Sequence, residues 1–121
     1  MAKKLAMILG VIFILIGLAG FVPNPLVGGP GALFETNNMH NLVHLITGLI
    51  GVWVAAKSMS GTMMLLKIFG IVYLLVAILG FSMGGNVLGM IMSQADNWLH
   101  LVVALLFLWA GFWGNKSGSM A

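Results

Sequence analysis

Residues 41–55 read NLVHLITGLIGVWVA, and residues 97–111 read NWLHLVVALLFLWAG. Asn41, His44, Leu45, Leu49 and Trp53 return 56 positions later as Asn97, His100, Leu101, Leu105 and Trp109. The segments ahead of them repeat too. Residues 8–21, ILGVIFILIGLAGF, return 60 positions later as IFGIVYLLVAILGF at 68–81. Gly10, Gly20 and Phe21 match Gly70, Gly80 and Phe81, while Phe13 meets Tyr73 and Gly17 meets Ala77. The four-residue difference between the two offsets falls in a connecting loop, where insertions are tolerated. The chain is therefore read as one transmembrane domain over 1–121, with repeat one at about 1–57 and repeat two at about 61–116.

All four repeated segments are apolar enough to lie in lipid. Of the 121 residues, 61% are hydrophobic and 6% charged, with a mean hydropathy of +1.14. A soluble domain carries about 25% charged residues, so this chain cannot cover a globule with polar surface. Apolar runs of about 18 residues or more mark membrane helices. They are expected at 5–22, 37–56, 62–82 and 95–114. Pro23 and Pro25 stop the first, the polar run Lys57-Ser58-Met59-Ser60-Gly61 separates the second from the third, Gly84-Gly85 follows the third, and Gly114-Asn115-Lys116 ends the fourth. The fold class is all-α: a four-transmembrane-helix bundle made of two parallel two-helix repeats. Helices suffice because lipid offers no partners to unpaired backbone groups.

The opening Met-Ala-Lys-Lys and its apolar run resemble a signal peptide. The recurrence of the same segment mid-chain argues for a retained helix instead.

Each repeat crosses twice, so both enter the membrane from one side and matched residues share a depth. That places His44 and His100 at one level. Lys3, Lys4, Lys57, Lys67 and Lys116 sit on the N-terminus, the central connection and the C-terminus, and there is no Arg. The positive-inside rule predicts both termini in the cytoplasm, with Lys67 snorkelling to the interface. The Gly/Pro-rich loops 23–36 and 83–94 then face outward, beside Glu35 and Asp96. Trp53, Trp109 and Trp113 fit an aromatic belt at the inner face and Trp98 the outer one.

Composition excludes several roles. Five scattered lysines make no nucleic-acid patch. The absence of Cys removes disulfides, thiolate metal sites and cysteine nucleophiles. No nucleophile stands beside a base in a catalytic pattern, which leaves enzymatic activity open but without a motif. Ionisable residues in mid-membrane, which mark proton-coupled transport, are missing from the middle of the spans; Glu35 and Asp96 lie at the aqueous edge.

Polar chemistry gathers at the outer end of the second and fourth spans. His40 and His44 are four apart and share a helix face, as do Asp96 and His100. The repeat superimposes Asp96 on His40 and Asn97 on Asn41. Across a pseudo-twofold, His40, His44, Asp96 and His100 converge as four potential ligands. Three readings follow. In the first, Asn37, Asn38 and Asp96 cap helices and His44 and His100 hydrogen-bond neighbouring elements. In the second, three imidazoles and a carboxylate hold a transition metal such as Zn, Cu, Fe or Ni, with Met83, Met90 and Met92 as soft donors nearby. In the third, His44 and His100 ligate a haem-like tetrapyrrole, for which Gly48 and Ala104, each four residues beyond a His, leave room.

The arrangement Asn-x-x-His-Leu-x-x-Gly at the head of an even-numbered span, met at Asn41, His44, Leu45 and Gly48, has a second copy at Asn97, His100 and Leu101 with Ala104 in place of the glycine. In this it resembles a family of small four-helix bacterial membrane proteins of unknown function. The resemblance implies a bacterial plasma (inner) membrane location and imports no activity or ligand. Four short helices with glycine-rich faces invite packing against lipid and other helices. The expected role is a non-enzymatic homo-oligomer or accessory subunit of a membrane complex. The alternative is a metal- or haem-binding redox protein.

Overall fold

Asn37 and Ser93 hold equivalent places in the two repeats, and each starts a helix. In the computed structural model, which describes residues 1–114, Asn37 accepts a hydrogen bond from the His40 backbone N–H and opens α2, Asn38–Lys57. Ser93 does the same for Asp96 and opens α4, Gln94–Trp113. Such a cap satisfies one of the donors that a helix start leaves unpaired. Asp96 completes a capping box by accepting from the Ser93 N–H at 2.7 Å. It is thus the third residue of the helix and not its cap.

The other two helices are α1, Ala2–Ala19, and α3, Met59–Met83. All four are long and apolar enough to cross a membrane, and the chain is a multi-pass membrane protein. Boundaries moved where local hydrogen bonding overrode composition. The polar run at 57–61 collapses to one non-helical residue, Ser58, which ends α2 and caps α3 by accepting from the Gly61 N–H. Helix α1 ends at Ala19, before the prolines, because Phe21 and Val22 switch to tighter bonds to the Leu18 and Ala19 carbonyls. Asn115 and Lys116, part of the expected C-terminal boundary, lie outside the described residues.

Helix α1 packs along α2, and α3 along α4; these are the two extensive helix contacts. Lipid tails are as apolar as leucine, so close packing and not hydrophobic burial joins helices in a bilayer. Glycines set the approach. A methyl on Gly17 would come 2.8 Å from the Leu45 N and 2.9 Å from the Asn41 carbonyl oxygen. A methyl on Gly70 would come 2.6 Å from the Leu108 side chain. Gly20 receives the carboxamide of Asn41 and Gly80 that of Asn97, so the same contact occurs in both hairpins.

The α1–α2 connection contains a two-residue ladder, β1 (Val27–Gly28) with β2 (Phe34–Glu35). The α3–α4 connection contains the hairpin β3 (Asn86–Val87) with β4 (Met90–Ile91). Leu88 and Gly89 both have positive φ in its two-residue turn, as such hairpins demand. The two connections are tied to each other. Asn37 donates from Nδ2 to the Gly89 carbonyl at 2.8 Å, and Ser93 donates from Oγ to the Leu33 carbonyl at 2.8 Å. Each cap residue therefore also grips the loop of the other hairpin, and the two helix starts are drawn together beneath the joined loops.

Candidate metal centre

Those starts carry the histidines. His40 lies in the first turn of α2, and His44 and His100 lie one turn deeper on α2 and α4. All three are at most 2% exposed. Ring centroids are 4.4 Å apart for His40 and His44, 5.6 Å for His40 and His100, and 5.9 Å for His44 and His100. One ring nitrogen from each can be chosen so that all three lie within 4.8 Å of one another. A metal bound at about 2.0–2.1 Å needs its nitrogens roughly 3.4 Å apart. The three nitrogens are held more widely than that, so a bound ion would draw the rings inward.

The surroundings are apolar on the inner side. Phe13 stacks on His44 with centroids 5.5 Å apart and planes at 19°. Tyr73, which occupies the matching place in the second repeat, lies 5.5 Å from His100. Phe107 closes the floor against both Phe13 and Tyr73. The Tyr73 hydroxyl donates to Thr47 Oγ1 at 3.2 Å, so it is engaged below the histidines.

Hydrogen bonding within the cluster is incomplete. His40 Nδ1 lies 2.7 Å from the Ile91 carbonyl oxygen. A carbonyl can only accept, so Nδ1 carries the hydrogen and Nε2 presents a bare lone pair. That Nε2, both ring nitrogens of His44 and both of His100 are buried and meet no hydrogen-bonding group of the protein. Each such orphan costs about 1–3 kcal/mol in a dry site. Five in one cluster is far from the usual near-complete pairing of buried polar atoms. The pattern at His40 is the one seen in metal-ligating histidines, where the second nitrogen is fixed by a carbonyl or carboxylate.

Asp96 is brought near but is not part of the three-nitrogen group. Its Oδ2 accepts from the Ser93 backbone N–H, while Oδ1 has no hydrogen-bond partner and is buried. Asn41 Oδ1 accepts from the Thr36 hydroxyl at 2.6 Å, and Asn97 Nδ2 donates to Gln94 at 2.8 Å. Both asparagines serve packing against glycine and local bonding. The space beside Gly48 is taken by α1, because a methyl there would overlap the Gly10 carbonyl and Ile14. The side of His44 toward Gly48 is thus closed by α1, and His40 lies 4.4 Å from His44 on α2.

Two cavities flank the cluster. One of about 270 Å³ lies in the α2–α3 seam and touches all three histidines. The other, about 170 Å³, lies in the α1–α4 seam beneath the first loop and is walled by His44, Asp96 and Thr36 among apolar residues. The Ile91 carbonyl, the Asn37–Gly89 tie and these cavities have no signature in the sequence, since they depend on backbone atoms brought from fifty or more positions away.

Four membrane-crossing helices with a buried cluster of imidazoles beneath joined loops define a small polytopic membrane protein with a polar centre at one end of the bundle. The chain belongs to the family described as a domain of unknown function (DUF4383), which matches residues 3–113. No curated relative and no solved structure matches the chain.

Proposed function

We propose that this protein binds a transition-metal ion at one end of its bundle, with His40, His44 and His100 as ligands. The observation that carries the reading is the convergence of three buried imidazoles whose inward nitrogens have no protein partner. Neutral imidazoles suit Zn, Cu, Fe or Ni. Three protein ligands leave a fourth position open, as in metal sites that exchange a ligand or a cargo ion. Asp96 supplies nearby negative charge against the cation, and Met90 and Met92, on the wall of the adjoining cavity, add the soft surface that copper favours. A tetrapyrrole is disfavoured by the closed face at Gly48.

The lysine distribution supports an orientation with both termini in the cytoplasm and the metal centre toward the outside. The family resemblance supports a bacterial inner membrane. A second reading, an accessory subunit or homo-oligomer, is favoured by the helix surfaces. Most of each span faces outward and is free to meet lipid or a neighbouring protein.

The test is the metal content of protein purified from its membrane without a polyhistidine tag. The reading predicts about one transition-metal ion per chain, lost in the double variant His44→Ala/His100→Ala while helical content persists. Protein that stays at background metal after exposure to micromolar Zn, Cu, Ni and Fe, with its helices intact, would leave the subunit reading in front.

A further inference from the structure

We propose that the ion this centre takes is monovalent copper, with the thioethers of Met90 and Met92 as its soft partners. The proposal rests on the reading of His40, His44 and His100 as ligands and names the ion they hold. Three features separate that ion from the divalent metals: the charge buried at the site, the polarity of the space beside it, and the side chains that β4 turns inward. Charge comes first. The chain has two acids, Glu35 and Asp96. Asp96 is 1% exposed, and its Oδ1 meets no hydrogen-bonding group of the protein. Glu35 is half-buried at the loop, where its carboxylate accepts from the Gly31 N–H. Neutral imidazoles bring no charge of their own. One positive charge on the ion is therefore matched by the one buried carboxylate. A divalent ion leaves a second charge unmatched among apolar side chains, which is costly.

The space beside the cluster points the same way. A divalent ion such as zinc fills four positions and, on three protein ligands, takes a water as the fourth. That water needs hydrogen-bonding partners of its own. The α2–α3 cavity touches all three histidines, but its two wall hydroxyls, Tyr73 and Thr47, are bonded to each other at 3.2 Å. Apart from the imidazoles, its other walls are apolar side chains. In the α1–α4 chamber the Thr36 hydroxyl is already given to Asn41, and a water on Asp96 there leaves the second charge in place. Monovalent copper is satisfied by three ligands and accepts thioether sulfur as a further one. It asks the site for no water.

Sulfur is what the wall supplies. Met90 and Met92 line the same cavity as the three histidines. They stand two apart, so an extended backbone turns both to one face. Met92 is 4% exposed, while Ile91 between them is 39% exposed. The hairpin register fixes that face. Met90 pairs with Val87, which is fully buried, and the Met92 N–H donates to the Gly85 carbonyl at 3.0 Å. The Ile91 carbonyl meanwhile holds His40 Nδ1 at 2.7 Å. One three-residue segment thus orients a ligating imidazole with its backbone and presents two thioethers with its side chains. Thioether beside imidazole selects Cu(I) among the ions that neutral histidines admit. Methionine also serves as plain apolar filler, a role that leucine performs equally, so leucine variants separate packing from ligation.

The experiment uses full-length, untagged protein in phosphatidylcholine nanodiscs under anaerobic conditions. Cu(I), supplied as its acetonitrile complex, is competed against bicinchoninate, and Zn(II) against a zinc-binding dye. The expected result is about one Cu(I) per chain, held roughly 100-fold more tightly than Zn(II) as ligand softness dictates. Copper X-ray absorption is expected to show sulfur beside nitrogen. Met90→Leu/Met92→Leu is expected to remove the sulfur signal and to weaken Cu(I) by about 10–100-fold, the usual cost of a lost partner at a metal site. Its Zn(II) affinity stays unchanged. Met83→Leu, exposed and off the cavity wall, changes neither. Zn(II) held as tightly as Cu(I), or equal Cu(I) affinity in wild type and the double methionine variant, overturns the proposal. If the ion bound in that case is lost in His44→Ala/His100→Ala, the histidine reading stands without the copper one. Protein that holds neither ion, with its helices intact, overturns both.

Discussion

At the residue scale, the site is organised by the two helix caps as much as by the histidines. Asn37 accepts from the His40 and Ile91 backbone and donates to Gly89. By fixing β4 beside the first turn of α2, it places the Ile91 carbonyl where it sets the His40 tautomer. Ser93 caps α4 and holds the first loop through Leu33 and Glu35. Loss of a helix cap costs about 0.5–2 kcal/mol. Ser93→Ala is therefore expected to lower stability by about 1–2 kcal/mol, read as a lower unfolding midpoint in detergent. An unchanged midpoint would show that neither the cap nor the loop tie contributes. The histidines themselves were legible, because duplication marked His44 and His100 and helical spacing added His40. Asp96 has a second task that the repeat does not reveal. A carboxylate three residues after a serine at a helix start is drawn into the capping box, which engages one of its oxygens and leaves the other buried without a hydrogen-bond partner.

At the element scale, each hairpin depends on small residues that admit a neighbouring backbone. Gly17 faces the α2 backbone at Asn41 and Leu45, one turn before Gly20, on which the Asn41 side chain seats. Overpacking a tight interface costs about 1–3 kcal/mol, occasionally more. Gly17→Leu is expected to exceed that range, since the clash is with backbone and not with a side chain that can turn away. The readout is loss of folded protein in a chemical-denaturation series, with Leu18→Ala, at an exposed position on the same helix, as the tolerated control. Equal stability of both variants would contradict the packing described. The helices were legible from apolar run length alone. The two-residue strands and the single-residue joint at Ser58 were not, because they are set by hydrogen bonds that composition does not encode.

At the scale of the whole molecule, two hairpins lean together at their loop ends and enclose a polar centre, with apolar seams on either side of it. The loop ties and the shared aromatic floor of Phe13, Tyr73 and Phe107 hold the two halves in register. Orientation is tested by labelling. The chain has no Cys, so Gly29→Cys and Ser60→Cys, both at exposed positions, can be probed singly with an impermeant reagent in intact cells. Gly29→Cys is expected to label from outside and Ser60→Cys only after permeabilisation; labelling of both from one side would refute the arrangement. The proposed centre joins three imidazoles at one metal ion. X-ray absorption at the edge of the bound metal addresses it most directly. The expected spectrum shows three imidazole nitrogens at about 2.0–2.1 Å, recognisable by multiple scattering from their rings, and a reduction in that count for each histidine replaced. A shell of oxygen atoms without ring scattering, or a count unaffected by His40→Ala, His44→Ala or His100→Ala, would contradict it.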